Sequence, residues 1–264
     1  MLTAVISDYN WLPPDEADWW FVPLCDKYLV FDKYHRFNSS PSVIRQKNVG
    51  QNIYDMLDFI CTRYPSLNGD YFFARSCLLF PKGRKPPLSN GNCSLPVLQA
   101  LISSHSSYTE VNDYYLDPYF QEYSSLARYS YSLDRVVPLT SSVSNVSRYL
   151  SFCLRNPSRY SFCSCSQGYI EVDNSWYLDI FPSIHFESFR AFMHNTFLNY
   201  KPKRYIRFSP GASYILSSKR ILRYPLSFYL YLRSLVSHGV VVGDAHLLER
   251  ALGIIFSNLT LELC

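Results

Sequence analysis

The sequence predicts an α/β chain built on a Rossmann-like sheet with helices against it, and three stretches near the N-terminus carry that expectation. Leu2 to Ser7 is an apolar, partly β-branched run that ends on the polar residues Asp8-Tyr9-Asn10. A buried parallel strand delivers polar groups to its carboxyl end in this way. Lys27 to Asp32 (KYLVFD) repeats the pattern and again ends in an aspartate. Asp70 to Ala74 (DYFFA) is a third run, short and aromatic, preceded by one amphipathic helix. Strand, strand, helix, strand is how a Rossmann-like sheet begins, and such sheets bind ligands beyond the carboxyl ends of their strands.

The helix is the best-marked element. Asn48-Val49-Gly50-Gln51 has the N-x-x-Q form of a capping box, and Ile53, Met56, Leu57, Ile60 and Tyr64 then fall on one face. Pro65 stops it, and Pro65-Ser66-Leu67-Asn68-Gly69 is a turn by composition. Residues 80–96 hold proline, glycine and the basic residues Lys82, Arg84 and Lys85, which marks a loop. From 97 to 165 the chain is rich in Ser and Tyr with weak periodicity; helices are expected over 95–104 and 117–129. Trp176 to Phe181 leads into a helix over Phe186 to Leu198. Strands over Arg204 to Phe208 and Ser213 to Leu216, separated by Ser209-Pro210-Gly211, precede helices over Leu226 to Ser237 and Ala245 to Phe256. There is no internal repeat.

Length and composition bound the function classes. With 264 residues, 48% of them hydrophobic, one domain over 1–264 with one substantial core is expected. Aromatic residues make up 17%, including 23 Tyr, which suits sugar or base recognition and equally suits a core. The formal charge of +4 is spread along the chain, unlike the concentrated basic face of a dedicated nucleic-acid binder. Eight cysteines lie without a C-x-x-C pair, and reduced thiols in a cytoplasmic protein are expected. MLTAVISDYN has no basic n-region before Asp8, so no secretory signal is expected. The C-terminal aliphatic tract is broken by Lys219, Arg220, Arg223 and Arg233 before reaching the roughly 20 residues a membrane span needs. The G-x-G-x-x-G, G-x-x-x-x-G-K-[ST], G-x-S-x-G and H-E-x-x-H patterns are all absent, which removes the motif support for dehydrogenase, kinase and hydrolase readings.

The strand ending Ser7-Asp8-Tyr9-Asn10, the YLVFDK strand, the helix that opens NVG and closes RYPSL, and the aromatic strand after it resemble a family of uncharacterised proteins related to GT-A glycosyltransferases. RFSPGASYILSSKRIL followed by HLLER and IF resembles that family's closing pattern. The likeness covers roughly 1–80 and 200–257, dividing the chain into a nucleotide-binding half (1–80), a variable middle (81–200) and an acceptor and catalytic half (201–257). It implies a GT-A-like single domain with a mixed sheet, and a transferase moving a sugar from a nucleotide-sugar co-substrate to a hydroxyl. The acceptor would be a glycan or a hydroxymethylated base in viral DNA, in a phage-infected cell's cytoplasm in the latter case.

The same likeness implies residue roles. Asp8 and Tyr9 would hold the nucleoside, one by accepting hydrogen bonds and the other by stacking. Asn48 and Gly50 open a helix whose free N–H groups suit a diphosphate, although capping alone also explains them. The metal-binding D-x-D of GT-A enzymes is missing: Phe73-Ala74-Arg75-Ser76 stands in its place, and Arg75 could neutralise a diphosphate without a metal. A divalent metal held through Asp113, Asp117 or Asp173 remains open. Gly211 and Ser213, in a turn that admits close backbone approach, are assigned with His246 and Arg250 to acceptor or diphosphate. In GDAHLLER, Asp244 can cap a helix, and Glu249 resembles the base of inverting enzymes, which takes the acceptor's proton. A wet helix face carrying His246, Glu249 and Arg250 is the alternative. From another class, a catalytically silent sugar- or nucleotide-binding module is the competing reading, favoured by the missing D-x-D.

Overall fold

Strands that are apolar along their whole length must be covered on both faces, and the sheet of this protein is covered on both. A computed structural model describes residues 1–79, 93, 95–111, 127–130, 135–138, 161–164, 168–172, 178, 181–202, 205–209, 211–257 and 260–264. β1 (Leu2–Asp8), β2 (Lys27–Asp32), β3 (Val43–Arg45) and β4 (Asp70–Arg75) lie parallel in the order β3-β2-β1-β4. Next in the chain come β5 (Tyr108–Glu110), a hairpin of β6 (Ala127–Ser130) and β7 (Arg135–Pro138), and a second antiparallel sheet of β8 (Ser161–Ser164), β9 (Gly168–Val172) and β10 (Tyr205–Arg207). β11 (Tyr214–Ser217) returns to the main sheet, antiparallel to both β4 and β5, and so completes the order β3-β2-β1-β4-β11-β5. The architecture is α/β with a mixed six-stranded sheet flanked by helices. The two segments with recognisable patterns, at opposite ends of the chain, therefore meet side by side at β4 and β11.

Alternation along the strands sends side chains to two cores. Val5, Phe31, Tyr71 and Phe73 face α1 (Gln51–Arg63), whose Ile53, Met56, Leu57 and Ile60 are all buried, as the periodicity predicts. Ala4, Ile6, Val30, Phe72 and Ala74 face the other way, onto Trp19, Phe21 and Leu98, the last from α2 (Leu95–Ser103). After α2 come α3 (Phe189–Thr196), the single turn α4 (Ser218–Ile221), α5 (Leu226–Leu235) and α6 (Gly243–Ser257). Helices α5 and α6 join the first core through Phe228, Leu232, Leu248, Ala251 and Leu252. No helix among the described residues is long and apolar enough to cross a membrane. Cys25, Cys61, Cys77, Cys93 and Cys264 are free thiols.

Several expected boundaries move. α3 starts at Phe189 because the Ser188 hydroxyl accepts from the Ala191 N–H at 3.1 Å, a side-chain cap the pattern had placed inside the helix. β10 and β11 span fewer or shifted residues, α5 ends at Leu235, and α6 begins two residues early, at Gly243. Of the helix expected over 117–129, residues 117–126 lie outside the described residues, and 127–129 belong to strand β6. Arg204 and Trp176 also lie outside the described residues.

The capping box is the plainest correction. α1 begins at Gln51 behind Gly50, whose φ of 56° is left-handed, and no side chain caps it. The reason is crowding from the α5–α6 connection. The Gly50 N–H donates to the Gly239 carbonyl at 2.7 Å, and a Cβ at residue 50 would stand 2.3 Å from the Val236 carbonyl oxygen. Gly50→Ala therefore combines a disfavoured φ with a backbone clash and is expected to destabilise the chain by about 2 kcal/mol or more, read from the midpoint of urea unfolding.

Candidate functional site

From β1 the chain moves outward to β2 and β3, and α1 then carries it back across to β4 on the opposite side of β1. The sheet order reverses between β1 and β4, the position at which sheets of this kind open a ligand crevice beyond the carboxyl ends of their strands. Ser7 pairs with Arg75 in the last register step of this strand pair. The crevice is therefore edged by Asp8 and Tyr9 on one side and by Arg75 and Ser76 on the other. The Tyr9 phenol oxygen and the Ser76 hydroxyl are both buried, and neither has a hydrogen-bond partner among the described residues. Buried hydroxyls are nearly always paired, so two orphans at one strand edge mark a place where a partner is missing. Burial, reinforced by the nearby Asp55 charge, raises the Tyr9 phenol well above its usual range and keeps it a neutral donor.

The turn between β10 and β11 closes one wall. Gly211 and Ala212 both adopt left-handed backbone, with φ of 77° and 46°. The Arg75 guanidinium lies against Gly211 so closely that a Cβ there would be 2.6 Å from its Nη2. Among the described residues, Arg75 has no carboxylate paired with it. The Gly211 carbonyl accepts from the Asn52 Nδ2 of α1 at 2.6 Å, and its N–H donates to the Glu249 Oε1 of α6 at 2.5 Å.

Both Glu249 oxygens are engaged within the chain, and its side chain is 17% exposed. Arg250 Nη1 donates to its Oε2 at 3.3 Å, and His246 Nδ1 stands 3.8 Å from the same oxygen. Burial alone would push this carboxyl up, but the nearby His246 ring, the Arg250 charge and the Gly211 amide outweigh it and hold the carboxyl at about 2. A base that weak is poorly matched to drawing a proton from a hydroxyl near neutral pH. The geometry makes Glu249 the anchor of the Gly211 turn, which argues against the role of general base expected from the sequence.

The other expected residues fall into two groups. Tyr9, Arg75 and Gly211 meet at the crevice. Ser213, buried, donates from its hydroxyl to the Gly211 carbonyl at 3.4 Å and supports the turn from within. Asp8 is fully buried and occupied: it accepts from the N–H groups of Trp11 and Leu12 at 3.0 and 3.1 Å and pairs with Arg36 Nη2 at 2.5 Å. It shapes the loop after β1 instead of reaching a nucleoside. Asn48 keeps a buried Oδ1 without a partner among the described residues, while Gly50 is packed under the α5–α6 connection. His246 and Arg250 are buried beside Glu249, with the His246 ring stacked on Phe181 and the Arg250 guanidinium 4.8 Å from the centre of the Phe208 ring. Asp244 accepts from the Ser183 hydroxyl and the Ile184 N–H, so it ties down the 181–186 segment rather than capping its own helix. Asp113, Asp117, Asp173, Lys82, Arg84, Lys85 and Pro210 lie outside the described residues.

Sequence reasoning missed the ion pair beneath the crevice. Lys33, which follows β2, pairs with Asp55 of α1, and both side chains are buried. Burial raises the Asp55 carboxyl to about 6, against the pull of the Lys33 charge and of hydrogen bonds from Lys33 and Ser7. The available signal was Asp55 lying in the apolar run of α1, between Ile53 and Met56. Comparison with family models, with curated proteins and with solved structures finds no match to this chain.

Two outcomes follow for stability. Because Glu249 is depressed from 4.5 to about 2, its contribution is complete above about 4.5 and is lost as pH falls towards about 2. Over that window the wild type should lose more stability than a Glu249→Gln variant, as followed by urea midpoints against pH. Asp55→Ala strands the Lys33 ammonium in the core and should cost about 3 kcal/mol at neutral pH, whereas a Lys33→Met/Asp55→Leu double variant should recover most of that loss.

Proposed function

We propose that this protein is a nucleotide-sugar-dependent glycosyltransferase that binds its donor in the crevice between the carboxyl ends of β1 and β4. One observation carries the reading. At the point where the sheet order reverses, a guanidinium with no carboxylate paired to it among the described residues, Arg75, stands with two buried, unpartnered hydroxyls, Tyr9 and Ser76. A planar guanidinium matches the paired oxygens of a diphosphate, and neutral hydroxyls suit ribose or phosphate oxygens. The parallel half-sheet continued by the reversed strand β11 is compatible with the GT-A likeness of the sequence. In this reading Glu249 is a positioning residue: it fixes the Gly211 turn, and the turn seats Arg75. The acceptor is a hydroxyl of a glycan or of a modified base in DNA.

A second reading, a silent binding module, draws on two observations: the depressed Glu249 carboxyl and the arginine standing where a metal-binding carboxylate would be expected.

The readings separate on a panel of nucleotide sugars tested with Mn²⁺ or EDTA by thermal unfolding and by donor hydrolysis. Stabilisation by one donor with slow hydrolysis is the outcome for the enzyme. Stabilisation without hydrolysis or transfer identifies the module, and no stabilisation by any donor overturns the site itself. Arg75→Ala should abolish the shift. Gly211→Ala, which pushes the guanidinium aside, should weaken donor binding about tenfold, a change of about 1.4 kcal/mol.

A further inference from the structure

We infer that His185, His238 and Asp244 form a binding site for a first-row divalent transition metal of the Zn²⁺ type, outside the crevice described above. The three side chains come from separate segments: the 181–186 stretch, the α5–α6 connection and the first turn of α6. Their ligand atoms all lie within 4.8 Å of one another. His185 Nδ1 is 3.3 Å from Asp244 Oδ1, and His238 Nε2 is 3.7 Å from Asp244 Oδ2. A tetrahedral ion with bonds of about 2.05 Å has ligands roughly 3.3 Å apart, so small side-chain adjustments would bring the three onto one ion.

The chemistry of the donors selects the ion. Two imidazoles and one carboxylate suit Zn²⁺, Co²⁺ or Ni²⁺ better than Mg²⁺ or Ca²⁺, which take oxygen ligands. The imidazole rings stand at 66° to each other with centres 5.5 Å apart, both directed at one carboxylate that is only 1% exposed.

The surroundings hold the ligands in position. Asp244 is oriented by the Ser183 hydroxyl and the Ile184 N–H, the kind of outer contact that fixes a ligating carboxylate. Gly243 packs so closely on the Phe181 carbonyl that a Cβ would lie 2.3 Å from its oxygen, which pins the segment bearing His185 to the start of α6. The Gly50 N–H does the same for the His238 loop through the Gly239 carbonyl, at 2.7 Å. The His185 and His238 side chains remain 36% and 30% exposed, so three protein ligands leave the ion an open position towards solvent.

The test uses the full chain, stripped with EDTA and titrated with Zn²⁺ by calorimetry and with Co²⁺ by visible absorption. The expected result is one ion per chain with micromolar or tighter affinity and Co²⁺ bands of a four- or five-coordinate site. His185→Ala and His238→Ala, both at exposed positions and checked for native circular dichroism, should each weaken binding at least tenfold. No binding by the wild type overturns the inference, as does binding that persists unchanged in the double variant, since the ion would then be held elsewhere.

Discussion

Gly211 is the point at which four parts of the chain are joined. Its carbonyl takes a hydrogen bond from Asn52 of α1, its N–H gives one to Glu249 of α6, and its missing side chain leaves room for the Arg75 guanidinium at the end of β4. Its φ of 77° makes the turn into β11 possible, and β11 closes the sheet against β4. A residue with a Cβ would meet strain and the guanidinium together. The candidate site depends on this one backbone unit, because it touches α1, α6 and the Arg75 guanidinium at once.

Two buried carboxylates beside that wall are driven in opposite directions by what donates to them. Glu249 lies against the His246 ring, the Arg250 guanidinium and the Gly211 amide, which together outweigh burial and hold it at about 2. Asp55 is likewise buried, but burial outweighs Lys33 and carries it to about 6. Desolvation acts on both; the number and placement of donors decides the sign. An ionised glutamate locked to a turn is a structural anchor, while the Lys33–Asp55 pair sets a polar floor under the crevice. Beside them the Tyr9 and Ser76 hydroxyls are buried without a hydrogen-bond partner among the described residues.

Much of the framework was legible in the sequence. β1, β2 and β4 are apolar runs ending in polar residues, and α1 has a clear helical period, because burial on both faces or on one face leaves its mark on residue order. The start of α1 was misread because its cap is decided by a contact with Val236 and Gly239, nearly two hundred residues away, which no local pattern records. The same holds for the site. Tyr9, Arg75 and Gly211 were singled out and do converge. Asp8 was assigned to a nucleoside by the family likeness, yet its carboxylate is engaged by Arg36 and two loop amides. Glu249 looked like a residue on a wet helix face or a base, and only the folded turn shows what its carboxylate holds. The Lys33–Asp55 pair and the His185, His238, Asp244 cluster are products of tertiary approach between distant segments.

The central claim is that ligands enter between the carboxyl ends of β1 and β4, under the Gly211 turn. Hydrogen–deuterium exchange of the whole chain with and without a saturating nucleoside diphosphate tests it most directly, since exchange reports local opening of each backbone segment. The account predicts added protection confined to residues 7–11, 75–78 and 209–213. Protection elsewhere in the chain, with these three segments unchanged, would contradict it.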